Sequence, residues 1–140
     1  MTSKTILITG ASGYIGGRLL SQLLKTNHTI ISMVRRPDQF KKQNKLKHEI
    51  RYADTLNQDS LIKAFKKVDI IYYLVHSMSD KKNFMKAETI SAKNVIAAAE
   101  KNNIKKIIYL GGLFKENSTL SNHLASRKKV GDILRSSSIT

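Results

Sequence analysis

The sequence contains no cysteine, which excludes disulfide bonds and thiolate metal sites from its 140 residues. It also lacks any apolar stretch near the roughly 20 residues that cross a bilayer. No small-residue cleavage site of a signal peptide follows its first apolar run. These absences predict a cytoplasmic protein without membrane association, and a reducing compartment is compatible with a chain that carries no thiol.

Acidic residues are also scarce. Ten Asp and Glu stand against 25 Lys and Arg, which leaves a net charge of +15. Such an excess can attract nucleic acid or another polyanion. The basic residues are scattered in pairs, such as Lys41-Lys42 and Lys128-Lys129, and no aromatic cluster that could stack bases lies beside them. A solvated lysine-rich surface is therefore favoured, nucleic acid is not expected as a partner, and polyanion binding is the weaker alternative.

Short apolar segments alternate with helical patterns along the chain. Hydrophobic residues make up 41% of the sequence, enough for the core of one domain. Alternating strands and helices predict an α/β fold with a doubly wound parallel sheet. Residues 39–47 are expected to form a loop or a frayed helix, Asn57 to start a short helix, and residues 138–140 to begin a further strand. The predicted strands are Ile6–Thr9, Thr29–Val34, Glu49–Ala53, Asp69–Val75 and Lys106–Leu110.

A cluster of glycines separates the first predicted strand from the first predicted helix. Gly10, Gly13 and Gly16 have the spacing G-x-x-G-x-x-G, and the strand before them and the helix after them give the motif its meaning. Gly10 is expected to take the tight turn, Gly13 to let a diphosphate approach the backbone, and Gly16 to let the helix lie close to the sheet. The pattern predicts a Rossmann-like dinucleotide-binding domain over residues 1–140; a purely structural turn is the alternative.

The start of the first helix supplies the expected phosphate contacts. Tyr14 and Ile15 lie in its first turn, where free N–H groups and the helix dipole favour an anion. Ser12 adds a hydroxyl donor beside them. We expect these residues to bind the cofactor diphosphate together with the glycines.

The end of the second predicted strand indicates which dinucleotide is preferred. NAD sites usually carry an acidic residue there for the ribose 2′-hydroxyl. This chain has Arg35 and Arg36 instead, and no acid before Asp38. A guanidinium can bind a 2′-phosphate through charge-assisted hydrogen bonds. NADP is therefore favoured over NAD, with two solvated arginines as the alternative interpretation.

With these residues in view, the chain resembles the short-chain dehydrogenase/reductase superfamily, and within it the atypical, NmrA-like NAD(P)-binding members. The resemblance covers essentially the whole chain. It rests on the stretches "TGASGYIGGRL", "DIIYYLVHSM", "NVIAAAEKNNIKKIIYLGGL" and "LSNHLASRKKVGDILR". Members of this group are often described as nucleoside-diphosphate-sugar epimerase-like proteins. The resemblance also implies that the chain is the N-terminal part of a longer protein whose C-terminal part binds substrate.

The resemblance implies further cofactor contacts after three strands. Asp54, with Thr55 beside it, occupies the position where relatives use an Asp to meet the adenine amino group. Gly111 and Gly112 end the fifth strand on the nicotinamide side. At the end of the fourth strand, where the backbone usually lies along the cofactor, stand Leu74, Val75 and His76. For His76, a polar residue that simply ends a strand is an equal alternative.

The chain departs from the catalytic pattern of the superfamily. Active relatives carry a Ser or Thr after the fifth strand and a Tyr-x-x-x-Lys on the next helix, whereas this chain has "YLGGL" followed by His123 and Arg127 at the same spacing of four. A histidine can transfer protons near pH 7. The two residues are weak catalytic candidates, and a helix-face pair without chemistry is the alternative. Tyr109 is expected to belong to the core rather than to act in catalysis, and Ser91 and Asn94 to face the sheet or a neighbouring helix.

Two functions therefore remain open. One is an NADP-dependent oxidoreductase or epimerase-like enzyme with an altered proton donor. The other is a non-catalytic NADP(H)-binding redox sensor or regulator, which the missing Ser and Tyr-x-x-x-Lys favour. The sequence names neither the small-molecule substrate nor the oligomeric state.

Overall fold

The computed structural model describes residues 2–75, 83–112, 115 and 119–140. Across these ranges, strands and helices alternate along the chain as the sequence predicts. In chain order the elements are β1 (Thr5–Thr9), α1 (Tyr14–Leu23), β2 (Thr29–Val34), α2 (Pro37–Gln43), β3 (Glu49–Tyr52), α3 (Gln58–Ala64), β4 (Ile70–Tyr73), α4 (Phe84–Lys101), β5 (Lys106–Tyr109) and α5 (Asn122–Arg135).

The five strands form one parallel sheet in the order β3-β2-β1-β4-β5. From β1 the chain runs outward through β2 to β3 and then returns to place β4 on the other side of β1. The strand order therefore reverses between β1 and β4, and this confirms the predicted doubly wound parallel sheet. Near the carboxyl ends of the strands the register pairs are Thr9 with Met33, Val34 with Tyr52, Ile8 with Tyr72 and Tyr73 with Tyr109.

Both faces of the sheet are covered, which explains why its inner strands are apolar almost throughout. On β1, Ile6 and Ile8 pack in one cluster and Leu7 packs in another, because successive side chains of a strand point to opposite faces. The first cluster includes Leu20 of α1 and Phe40 of α2; the second includes apolar side chains of α3, α4 and α5. Among the described residues, no helix combines the length and apolarity needed to cross a bilayer.

The segment expected to be a loop or a frayed helix forms a regular helix, α2, over Pro37–Gln43. Pro37 at its first position has a backbone angle suited to a helix, and Asp38 in its first turn complements the helix dipole. Phe40 is buried against the β1–β2 face. Tertiary packing of one aromatic side chain thus stabilises a helix whose surface is too polar to show a clear apolar periodicity.

The strand boundaries differ from the predicted ones by at most two residues. The fourth strand, for example, covers Ile70–Tyr73. Asn57 caps α3 as expected, since its side chain accepts a hydrogen bond from the Ser60 backbone N–H. At the outer edge of β5, the Ile107 backbone N–H donates to the Thr140 carbonyl over 3.0 Å, where a further strand is expected.

Thr9 joins β1 to β4 at the point where the strand order reverses. Its hydroxyl donates to the Tyr72 carbonyl over 3.2 Å and accepts a hydrogen bond from the Leu74 backbone N–H over 2.9 Å. The side chain is fully buried. The hydroxyl therefore continues the pairing of β1 and β4 beyond the last backbone pair and holds the end of β4 against the glycine turn.

We expect the Thr9→Val substitution to lower the free energy of unfolding by about 1–3 kcal/mol, because it preserves the side-chain shape but removes both hydrogen bonds of the buried hydroxyl. Urea denaturation measures the loss. Thr29→Val is the matched control, since Thr29 lies on the neighbouring strand with an exposed side chain. Equal stabilities for the two variants would show that the Thr9 hydroxyl contributes nothing.

Candidate functional site

The loops that leave the carboxyl ends of the parallel strands meet along one edge of the sheet. Gly10 follows β1, Arg35 follows β2, Asp54 lies two residues after β3, and Leu74 follows β4. Neighbouring strands of a sheet lie about 4.8 Å apart, so these residues stand side by side. In open α/β sheets, ligands bind in the crevice outside the strand ends where the strand order reverses. Here that position lies between Gly10 and Leu74.

Gly10 and Gly16 allow three backbone segments to approach one another. Gly10 has a φ of +69°, in the left-handed region that favours glycine. A Cβ at Gly10 would also lie 3.0 Å from the Leu74 carbonyl oxygen. A Cβ at Gly16 would clash with the Gly10 carbonyl and lie 3.0 Å from the Ala11 Cα. The two glycines therefore take the turn and close-packing positions that the motif predicts.

Gly13 has a different environment. It is the N-cap of α1 with a φ of −81°, and an added Cβ would meet only the Gly10 carbonyl oxygen, at 3.3 Å. Its outer side is exposed, as is Ser12. Gly13 has no side chain to cap this end of α1, and among the described residues no side chain accepts from the N–H groups of Tyr14 or Ile15 in the first turn. The loop and the helix start together form a cradle suited to an anion.

Arg35 and Arg36 are exposed next to this cradle. Arg36 is the N-cap of α2, and its guanidinium lies 3.5 Å from the Gln39 side-chain oxygen, at the limit of a hydrogen bond. Within the part of the chain that the structure describes, neither arginine takes part in an ion pair. Both guanidinium groups are accessible to a ligand phosphate, and their role stays a prediction.

The turn after β3 is tightly held. The Asp54 carboxylate accepts a hydrogen bond from the Leu56 backbone N–H, and the Asp54 backbone N–H and carbonyl both meet the Ser60 hydroxyl. Thr55 is buried, and its hydroxyl pairs with that of Ser91 over 2.9 Å. Of the two residues predicted here, only Asp54 keeps a partly exposed side chain, because the Thr55 side chain turns into the protein.

Leu74 and Val75 follow β4 and are half-buried. The Leu74 N–H is bonded to the Thr9 hydroxyl and its carbonyl lies beneath Gly10, so the backbone here forms the floor of the crevice. His76 lies outside the described residues. Its predicted role stays a prediction.

At the other end of the edge, α5 packs over the end of β5. A Cβ at Gly112 would clash with the Leu124 side chain and would lie 3.6 Å from Cδ of Arg127. Arg127 is half-buried beside this glycine, whereas the exposed His123 ring stacks on Phe84 at a centroid distance of 4.9 Å. The structure therefore brings Arg127, but not the His123 ring, into contact with the strand end. It leaves no room at Gly112 for a serine side chain unless Leu124 moves.

Tyr109 points toward α5 and the core. Its hydroxyl lies 3.5 Å from the Arg127 carbonyl, and its ring packs on Tyr73 with centroids 5.8 Å apart. Burial, followed by the nearby Glu88 carboxylate, raises the pKa of both tyrosines above the ordinary value. The phenol of Tyr109 therefore stays protonated at neutral pH, in agreement with a core rather than a catalytic role.

Sequence reasoning missed three contributors to this edge. Thr9 looked like an ordinary strand residue, Ser60 lay in a helix described only by its apolar positions, and the partner of Asn94 was not specified. The Asn94 side-chain N–H donates to the Thr55 carbonyl over 2.9 Å. Each is a polar residue, buried in the case of Thr9 and Ser60 and half-buried in the case of Asn94. A polar residue within an apolar pattern indicates that a hydrogen bond is needed, but it does not identify the partner.

Comparison with known proteins identifies the family. Residues 10–139 match a sequence profile described as NAD(P)H-binding. The chain belongs to this NAD(P)H-binding family. It is 26% identical over 121 residues to cinnamoyl-CoA reductase 1 from Petunia hybrida, covering 81% of this chain and 36% of that protein. It is 32% identical over 127 residues to UDP-glucose 4-epimerase from Rickettsia bellii, covering 76% and 36%.

A solved relative shows the same fold. Triphenylmethane reductase from Citrobacter sp., in complex with NADP(H), superposes with a TM-score of 0.77 at 27% identity, covering 93% of this chain and 45% of that one. The chain thus spans less than half the length of these relatives. The resemblance to NmrA-like members of the short-chain dehydrogenase/reductase superfamily is confirmed, and the protein is an NAD(P)-binding protein with reductase and epimerase relatives.

Two adjacent glycines of α1 provide a test of the close packing beneath the cradle. We expect Gly16→Ala to lower the free energy of unfolding by about 1–3 kcal/mol, because its methyl group would meet rigid backbone. In the matched control, Gly17→Ala, the new methyl group meets the Ala11 carbonyl oxygen at an ordinary 3.7 Å. This control should be neutral or stabilising by up to about 1 kcal/mol. Thermal unfolding measures the stability of both variants. Equal stability of Gly16→Ala and Gly17→Ala would contradict the interpretation.

Proposed function

We propose that this protein binds NADP(H) along the carboxyl edge of the sheet and acts as the cofactor-binding part of a cytoplasmic reductase. The observation that carries the proposal is the uncapped start of α1 above the Gly10–Gly13 turn, at the point where the strand order reverses. The diphosphate binds there, at the N–H groups of Tyr14 and Ile15. Ser12 donates its hydroxyl beside them.

The two halves of the cofactor extend from this point in opposite directions. The 2′-phosphate of the adenine half is bound by Arg35 and Arg36, and the adenine amino group by Asp54, whose second carboxylate oxygen has no hydrogen-bond partner among the described residues. The nicotinamide half runs over Leu74 toward Gly111. The complex of triphenylmethane reductase with NADP(H) supports this choice of dinucleotide.

A hydride acceptor would reach the nicotinamide near the start of α5. Arg127 lies there against Gly112 and is suited to orient an anionic or carbonyl substrate. His123 would donate the proton after its ring leaves Phe84. The reductase among the relatives supports this chemistry, and the epimerase supports a related proton and hydride transfer on a sugar nucleotide.

A specific observation favours a second function, a redox sensor without catalysis. No hydroxyl side chain stands at Gly111 or Gly112, the Leu124 side chain covers Gly112, and the Tyr109 phenol is directed at the α5 backbone. A bound cofactor would then report the ratio of NADPH to NADP through the position of α5.

The preference for NADP(H) depends on the two arginines. In the double variant Arg35→Ala with Arg36→Ala, we expect the ratio of NADPH to NADH affinity to fall at least about tenfold, because each charge-assisted hydrogen bond contributes about 1.5–3 kcal/mol. Fluorescence titration measures both affinities. The double variant Lys41→Ala with Lys42→Ala removes the same charge from the far end of α2 and should keep the preference. Unchanged selectivity in the arginine variant would refute the assignment.

Turnover separates the enzyme from the sensor. NADPH consumption is followed by absorbance while aldehydes, quinones and sugar nucleotides are offered in turn. The enzyme hypothesis expects turnover with one of these classes, and a kcat at least about tenfold lower for His123→Asn, as is typical when a general acid is lost. His28→Asn is the matched control, because the His28 ring accepts from the Lys4 backbone N–H, away from the candidate site. NADPH binding without turnover on any class would favour the sensor.

A further inference from the structure

Helix α4 directs two polar side chains at one residue of the turn after β3. The Ser91 hydroxyl pairs with the Thr55 hydroxyl over 2.9 Å, and the Asn94 side-chain N–H donates to the Thr55 carbonyl over 2.9 Å. Ser91 and Thr55 are almost fully buried, at 1% and 5% exposure. In so dry a setting an unmade hydrogen bond is costly, so this pair of contacts strongly favours one position of Thr55.

The same turn is held from its other side by α3. The Ser60 hydroxyl accepts from the Asp54 backbone N–H over 3.0 Å, and its single proton faces two carbonyls, that of Asn57 at 2.7 Å and that of Asp54 at 3.1 Å. The Asp54 carboxylate in turn accepts from the Leu56 N–H over 2.9 Å. Hydrogen bonds from two helices thus determine where the Asp54 carboxylate stands before any ligand arrives.

A comparable contact at the C-terminal end of α4 serves as a control. The side chain of Asn102, the C-cap of α4, donates to the Ile62 carbonyl of α3 over 3.1 Å and to the Ala98 carbonyl over 2.9 Å. It lies eight residues from Asn94, about 12 Å along the helix axis. Like Asn94, Asn102 joins this helix to a neighbouring segment, but only Asn94 contacts the turn that carries Asp54.

We propose that Asn94 and Ser91 are positioning residues for the adenine end of the cofactor site. Neither touches the cofactor. By holding Thr55 they place the neighbouring Asp54 carboxylate in advance, so binding does not have to order the turn. This inference rests on the proposed function, because it assumes that adenine binds beside Asp54.

Calorimetric titration of the full chain with NADPH and with 2′,5′-ADP tests the inference, since 2′,5′-ADP contains only the adenine half. For Asn94→Ala we expect about fivefold weaker binding of both ligands, the effect of one neutral hydrogen bond. Both Asn94→Ala and Asn102→Ala should lower the melting temperature, by similar amounts, but Asn102→Ala should leave both affinities unchanged. Should Asn94→Ala fail to fold, Ser91→Ala removes the second contact to Thr55 and takes its place with the same expectation.

The outcomes are distinguishable. If the unmodified chain binds neither ligand, the proposed function fails, and the inference fails with it. If it binds both but Asn94→Ala binds them equally well, only the positioning role is overturned. A similar loss of affinity in Asn102→Ala would assign the effect to general stability. Weaker binding of NADPH but not of 2′,5′-ADP would place the effect outside the adenine half, and would also overturn the inference.

Discussion

The candidate site depends on the close approach of β1, β4 and α1 at the reversal of the strand order. Gly10 turns through a left-handed conformation over the Leu74 carbonyl, Gly16 packs against the Gly10 carbonyl, and the Thr9 hydroxyl bonds the two strand ends together. Only residues without a Cβ fit at the two glycine positions. This packing aims the start of α1 at the crevice, and the rest of the edge is arranged around it.

The other contributions to the edge depend on tertiary hydrogen bonds rather than on local turns. Asp54 is placed by Ser60 on α3 and, through Thr55, by Ser91 and Asn94 on α4. Arg35 and Arg36 are exposed, and the side-chain contact found for them among the described residues is the 3.5 Å approach of Arg36 to Gln39. In the proposed complex, a carboxylate held by hydrogen bonds would meet the flat adenine, and two exposed cations would meet the phosphate.

The end of the edge proposed for the nicotinamide is built differently, because α5 packs directly on Gly112. At Gly112 an added Cβ would require the tip of the Leu124 side chain to shift, whereas at Gly111 it would meet only the Tyr109 ring at an ordinary 3.6 Å. The Tyr109 phenol is directed toward the Arg127 carbonyl. In the proposed enzyme, proton transfer at this end would depend on His123 and Arg127, which lie four residues apart on α5.

The sequence alone was sufficient to predict the α/β fold, the five strands and the packing roles of Gly10 and Gly16. These follow from local causes: runs of branched apolar residues, and a glycine spacing between a strand and a helix. The same local signals left α2 open between a loop and a frayed helix, because Phe40 stabilises that helix through a contact with the sheet rather than through periodicity. The strand order also required the structure, since pairing of β1 with β4 joins residues more than 60 positions apart.

Among the site residues, the sequence determined which side chains carry suitable chemistry, and the tertiary structure decided which of them reach the edge. In the folded chain the Thr55 side chain points inward and the His123 ring stacks on Phe84. Thr9 and Asn94 form hydrogen bonds that no sequence motif predicts. The physical reason is that a buried polar group must find a partner. The sequence shows that such a group exists, but only the packing of helices and strands determines where its partner stands.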